Sequence, residues 1–218
     1  MIALVQPRLF TAVQGLRATL ALLVIAFAGM GSAWSQTTSA ADAEAFVQGN
    51  ASAVIDTLQA LHDGERELAS VREEFRTRIE TLADIDRITN FVLGRYRRTA
   101  SESDLEAFRE TFRAYAISVY EAELTNYAGQ TLTVTGSIVR REGDYVVRSE
   151  VTGGPDGRVY EVNWRVLEND QGELHVLDAE VFGIWLAQTQ REQILAIIGD
   201  NRGQVSAATQ ALRGRLER

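Results

Sequence analysis

The sequence predicts an α+β protein in which a four-stranded, curved antiparallel sheet packs against a set of helices. Apolar residues recur at helical spacing from about residue 40 to 128, and again from about 187 to 217. Between them, from 131 to 182, four segments alternate apolar and polar residues with period two, joined by short turn-like stretches. After residue 35 the only proline is Pro155, and no low-complexity tract divides the chain. Residues 36–218 therefore read as one domain, long enough to bury a sizeable core.

Residues 1–35 read as an export signal removed from the mature protein. Arg8 and Arg17 lie in a start free of acidic residues, and the apolar run Ala18–Met30 follows. That run is shorter than the ~20 residues of a typical membrane span. Ala33 and Ser35 occupy the −3 and −1 positions of a cleavage site before Gln36.

The first helix is expected over Ser39–His62, with Ala43, Phe46, Val47, Val54, Ile55, Leu58 and Leu61 on its apolar face. Leu68–Leu82 repeats the pattern through Val71, Phe75 and Ile79. Asp86 is placed to cap a third helix carrying Ile88, Phe91, Val92 and Tyr96. The string "SESD" at Ser101–Asp104 reads as a capping box that opens a long helix through Phe108, Phe112, Tyr115, Val119 and Leu124, with Gly129 just past its end. The strands follow. Thr131–Arg140 alternates Leu132, Val134, Gly136 and Ile138; Asp144–Thr152 alternates Tyr145, Val147, Ser149 and Val151. After the "GGPDG" turn, Arg158–Glu168 alternates Tyr160, Val162, Trp164 and Val166, and Leu174–Phe182 forms the last strand. Gln188–Ile198 and Gln204–Leu216 close the chain as helices.

Composition narrows the chemistry. The formal net charge is −8, from 22 basic and 30 acidic residues, and every basic residue is arginine. Without Arg8 and Arg17 the balance is 20 against 30, a charge of −10. So acidic a chain does not suit general binding to nucleic acid, which needs a basic face. There is no cysteine, and His62 and His175 are the only histidines, so zinc sites of the usual kinds are excluded. Without lysine no Walker-type phosphate loop exists, and no G-x-S-x-G elbow occurs. The remaining acid–base candidates are His175, Asp178 and Glu180 on the last strand. More conspicuous is the aromatic and branched apolar surface aimed at one side of the sheet, which together with the helices can enclose an apolar cavity.

The string Phe91–Gln130 resembles the middle of the MlaC family of periplasmic phospholipid-binding proteins. The resemblance runs through Phe91, Leu93, Gly94 and Tyr96, then Phe108, Phe112 and Tyr115, then Tyr127 and Gly129. "DYVVRSEV" and "YEVNWRV" are similar to the family's second and third strands. The series Asp178, Val181, Gly183, Ile184, Leu186 and Arg191 resembles its late element. Trp185 and Ile194 depart from the family's serine and phenylalanine.

The resemblance implies a cone-shaped, NTF2-like fold and a periplasmic carrier without cofactor or catalytic group, its cargo a phospholipid held by the acyl chains. Its partners would be an outer-membrane lipoprotein–porin complex and an inner-membrane ABC transporter with its substrate-binding ring. Phe112, Tyr115, Val147, Ser149, Val162, Trp164 and Val166 are the expected pocket residues, with Ile184 and Trp185 at its mouth. Two other readings stand beside it: an adaptor with a solid core, and an enzyme on the same fold using Asp178, Glu180 and His175. The basic string "GRYRR" has two expected uses. Arg95, Arg97 and Arg98 end a helix and are neutralised by Glu102, Asp104 and Glu106, or they dock an acidic partner or a lipid phosphate.

Overall fold

The computed structural model describes residues 38–121, 124–127 and 129–217; the expected export signal, residues 1–35, lies outside them. Ser39 opens the first helix, α1 (Ala40–His62). Its hydroxyl accepts the Asp42 N–H at 3.2 Å, and the Asp42 carboxylate accepts the Ser39 N–H at 2.8 Å. The two bonds satisfy backbone donors that the first helical turn leaves free. Helix α2 (Leu68–Leu82) follows, and Asp84 caps α3 (Ile85–Leu93) by accepting the Arg87 N–H. Ser101 caps α4 (Glu102–Glu121) by accepting the Asp104 N–H at 3.1 Å.

Two helix ends differ from expectation. The third helix stops at Leu93, because Gly94 takes φ 54° and ψ −124°, a conformation open to glycine and strained for other residues. "GRYRR" is therefore a separate 3₁₀ turn, Gly94–Arg98, and not the last turn of the helix. Helix α4 ends at Glu121, and Leu124 belongs to a short 3₁₀ turn, Leu124–Asn126.

The sheet has five strands in sequence order, one more than expected, all antiparallel: β1 (Thr131–Arg141), β2 (Asp144–Thr152), β3 (Tyr160–Glu168), β4 (Leu174–Val181) and β5 (Ile184–Trp185). The added strand comes from a two-residue reversal, Phe182–Gly183, with both residues at positive φ, which pairs Val181 with Ile184. Along β2 the predicted alternation holds, with Tyr145, Val147, Ser149 and Val151 buried. Along β1 it breaks. The pairing shifts by one between Val134 and Gly136, so Ser137 rather than Gly136 follows Val134 on the inner face, and Ile138 turns outward, 53% exposed. Gln48 of α1 covers this shifted edge: its Oε1 accepts the Val134 N–H at 2.9 Å and its Nε2 donates to the Leu132 carbonyl at 3.1 Å. The chain ends in α5 (Leu186–Asp200), which packs on β4 and α3, and α6 (Val205–Leu216), which packs on α4.

Many of the buried apolar residues fall into three clusters. One is wholly helical, built on Val92, Leu93, Phe108, Phe112, Ile194, Ile198 and Leu212. The second joins the start of α1 to the sheet through Ala43, Val47, Tyr145, Val147, Val166 and Val176. The third lies at the other end of the sheet, on Val151, Val162 and Val181, and its surrounding residues are Leu132, Tyr160, Trp164 and Leu186.

Candidate functional site

The helix-facing side of the sheet is apolar because its polar atoms bond to one another. The Trp164 indole N–H donates to Ser149 Oγ at 2.9 Å, and Ser149 Oγ donates to the Val162 carbonyl at 2.9 Å. Ser149 is thus fully engaged although almost completely buried, and the face presents hydrocarbon to whatever lies over it. Trp164 packs against both sheet clusters and bridges them. Over the Tyr145 end, α1 supplies Ala43, Phe46 and Val47 as cover. Over the Val151 end no α1 residue belongs to the cluster. Val54, Ile55 and Leu58, on the later part of α1, are half-buried and join none of the three clusters among the described residues.

The expected site residues divide accordingly. Val147, Ser149, Val162, Trp164 and Val166 lie together on the inner face of β2 and β3. Phe112 and Tyr115 are not with them. Phe112 stacks on Phe108 at 5.8 Å within the helical cluster, and the Tyr115 ring lies under Arg215 of α6, whose guanidinium is 5.7 Å from its centre. Ile184 and Trp185 form β5, with Ile184 38% exposed and Trp185 half-buried. Next to them stand further exposed apolar residues: Phe182, edge-on to Tyr160 at 5.2 Å, and Val159. Phe182 holds φ 54°, a conformation that costs a bulky residue on the order of 1 kcal/mol. A ring exposed at a strained turn is a signal that strand patterns do not carry.

Two clefts open on the helical layer. One, of about 920 Å³, is lined by charged residues of α2, α3 and α4, among them Arg76, Glu80, Asp86, Arg109 and Arg113. The other, of about 540 Å³, lies at the 3₁₀ turn Gly94–Arg98 and the turn joining α5 to α6.

The acid–base candidates serve the fold. Asp178 accepts the Ala187 N–H at 2.7 Å, the Gln188 N–H at 3.2 Å and the Ala179 N–H at 2.8 Å, so it caps α5 from the neighbouring strand. Burial pushes its carboxyl above the ordinary aspartate value, and the three N–H donors oppose that rise. Glu180 accepts a bond from Asn163, and His175 Nε2 bonds to Asn169. Among the described residues no hydrogen bond or ion pair joins the three, and no group of acidic and histidine side chains has metal-binding geometry.

Another contact unites two segments that are far apart in sequence. Arg191 of α5 lays its guanidinium over the Phe91 ring, 4.9 Å from the centre, and donates to the Phe91 carbonyl at the end of α3. A Cβ added at Gly94 would stand 2.9 Å from both terminal nitrogens of that guanidinium. Gly94 is thus required twice, by its backbone angle and by the arginine beside it. No helix among the described residues is long and apolar enough to cross a membrane.

These features define a class: an α+β protein whose helix-facing sheet is hydrocarbon and whose Asp178 and Glu180 make bonds within the fold. The profile of the MlaC protein family matches residues 48–214, and the chain belongs to that family. Among solved structures, the chain is similar to the phospholipid-binding protein from Ralstonia solanacearum, determined in complex with a phospholipid. The identity is 26%, the alignment covers 79% of this chain and 96% of the other, and the TM-score is 0.69. A comparison with curated proteins gives no match.

Proposed function

We propose that this protein is a phospholipid carrier. It holds the acyl chains over the inner face of β2 and β3, between that face and the later part of α1. The observation that supports this reading is the apolar inner face of β2 and β3, on which Val147, Val162 and Val166 surround a Trp164–Ser149 pair whose polar atoms are all engaged. The family and the phospholipid-bound relative point to the cargo. Two acyl chains hold roughly thirty methylenes, and at ~0.8 kcal/mol each their exposure to water costs on the order of 24 kcal/mol. Only a site nearly as apolar as a bilayer offsets that cost, and binding of this kind needs no catalytic group.

In this reading the protein works in the periplasm after removal of residues 1–35. It moves lipid between an outer-membrane lipoprotein–porin complex and an inner-membrane ABC transporter, and so supports lipid asymmetry of the outer membrane. Phe182, Ile184 and Val159 give an apolar rim at the end of the sheet where chains enter.

Brominated phospholipid tests the site. The protein has three tryptophans, of which Trp34 falls in the segment removed on export. Bromine on the acyl chains should quench the fluorescence of Trp164, and Trp164→Phe should abolish most of that quenching while Trp185→Phe retains it. Absence of co-purifying phospholipid by mass spectrometry, together with no uptake from liposomes, refutes the carrier reading.

A further inference from the structure

The arginines of "GRYRR" are not neutralised as the sequence suggested. Glu102 and Glu106 both pair with Arg109, and Asp104 is held by Ser101. Arg98 and Arg202 make no hydrogen bond or ion pair among the described residues. Among the described residues Arg95 bonds only to its neighbour Tyr96, donating to the phenol oxygen at 3.1 Å with its guanidinium 5.0 Å from the ring centre. Asp200, close by at the end of α5, pairs with none of them.

Tertiary structure adds Arg202 to the set. It stands in the turn between α5 and α6 at φ 57°, followed by Gly203 at φ 83°. Tyr96 builds the floor between the two segments. A Cβ at Gly203 would sit 3.5 Å from its ring, and one at Gly199 would sit 3.7 Å from its hydroxyl, so the ring fits where two glycines leave room. Around it the cleft of about 540 Å³ is lined by Arg95, Arg98 and Arg202 with Thr99, and no acidic residue takes part.

We propose that this cleft docks an acidic segment of a protein partner. Three arginines line it on a chain of net charge −8, so the positive charge is local and specific in position. Arginine forks match carboxylates in pairs, and Arg and Tyr are the residue types that anchor protein interfaces. A flat anionic bilayer fits less well: its surface potential repels the acidic body, and recruitment to lipid usually takes four to eight basic residues on one surface. The cleft lies at the opposite end of α5 from β5, ~22 Å away along the helix axis, so it is separate from the rim proposed for acyl chains.

The test uses the purified protein and a fluorescent oligoglutamate peptide at low salt. Binding should weaken at least about tenfold in the double variant Arg98→Glu/Arg202→Glu. The control Arg140→Glu/Arg158→Glu changes net charge equally and should bind as the parent does. Arg98→Gln/Arg202→Gln should show a smaller loss in the same direction and serves if the reversal impairs folding. Equal loss in cleft and control variants overturns the proposal in favour of overall charge, and no loss in either overturns it outright. So does a cleft variant that keeps the peptide but loses association with phosphatidylglycerol–phosphatidylethanolamine vesicles. Phospholipid retained on each variant, read by mass spectrometry, reports separately on the carrier reading.

Discussion

Replacing Gly94 with alanine tests how the end of α3 is fixed to α5. At φ 54° and ψ −124° an alanine is strained by ~1–3 kcal/mol. Its Cβ also falls 2.9 Å from two nitrogens of Arg191, closer than real Cβ contacts. The guanidinium cannot move aside freely, because it donates to the Phe91 carbonyl and covers the Phe91 ring. A hydrogen bond from a charged group contributes ~1.5–3 kcal/mol and a ring contact of this kind ~0.5–1. These effects overlap, and a total near ~3 kcal/mol is expected. For a domain of this size that corresponds to a fall in Tm of ~6–12 °C. Urea unfolding followed by circular dichroism measures it, and a double-mutant cycle with Arg191→Met separates the parts. In the methionine background only the backbone strain should persist, so Gly94→Ala should cost less there. A cost below ~0.5 kcal/mol in the parent, or one unchanged by removing Arg191, would refute the argument.

Other perturbations follow from the same contacts. Asp144 is buried and receives two bonds from Arg165, at 3.2 and 3.1 Å; Arg165→Met leaves it the largely exposed Arg141 at 3.5 Å and should cost ~1.5–3 kcal/mol in chemical denaturation. Asp178→Ala leaves the first turn of α5 uncapped and should cost ~1–3 kcal/mol, with faster amide exchange confined to that turn. Glu74 is held by Arg66, Arg78 and Thr57, which lower its carboxyl to about 2 from 4.5. A depressed value means stability that is present above pH 4.5 and lost as pH falls toward 2; with the side chain one-third exposed, about 1 kcal/mol is expected after screening. Glu74→Gln should remove that acid-dependent part, so that parent and variant converge in stability near pH 2 and diverge at pH 6.

Much of the architecture was readable without coordinates because it rests on local rules. Period-two runs placed β2 and β3 with their buried faces, and the capping box at Ser101 marked the start of α4, since each depends on residues a few positions apart. Local rules failed where a single residue changes the geometry. The shift after Val134 in β1 turned Ile138 outward, and the Phe182–Gly183 reversal added β5, neither of which alters the apolar pattern enough to be seen. The packing of Phe112 and Tyr115 among the helices was hidden for another reason. Spacing shows that one face of α4 is buried, but not whether it meets the sheet or, as here, α6.

By itself the sequence determined the order of elements, the apolar inner face of the sheet, the absence of the usual catalytic and metal motifs, and the family likeness in which Gly94 and Arg191 both stand. These follow from composition and from contacts within a few residues. Tertiary structure alone decided what those residues do. It brought Arg191 against Gly94 and Phe91, turned Asp178 from a candidate acid into a helix cap, and set Arg202 beside Arg95 and Arg98 while their expected acidic partners went to Arg109 and Ser101. The physical reason is the same in each case: a charged side chain takes its role from the groups within a few ångströms of it, and those groups come from segments that only folding brings together.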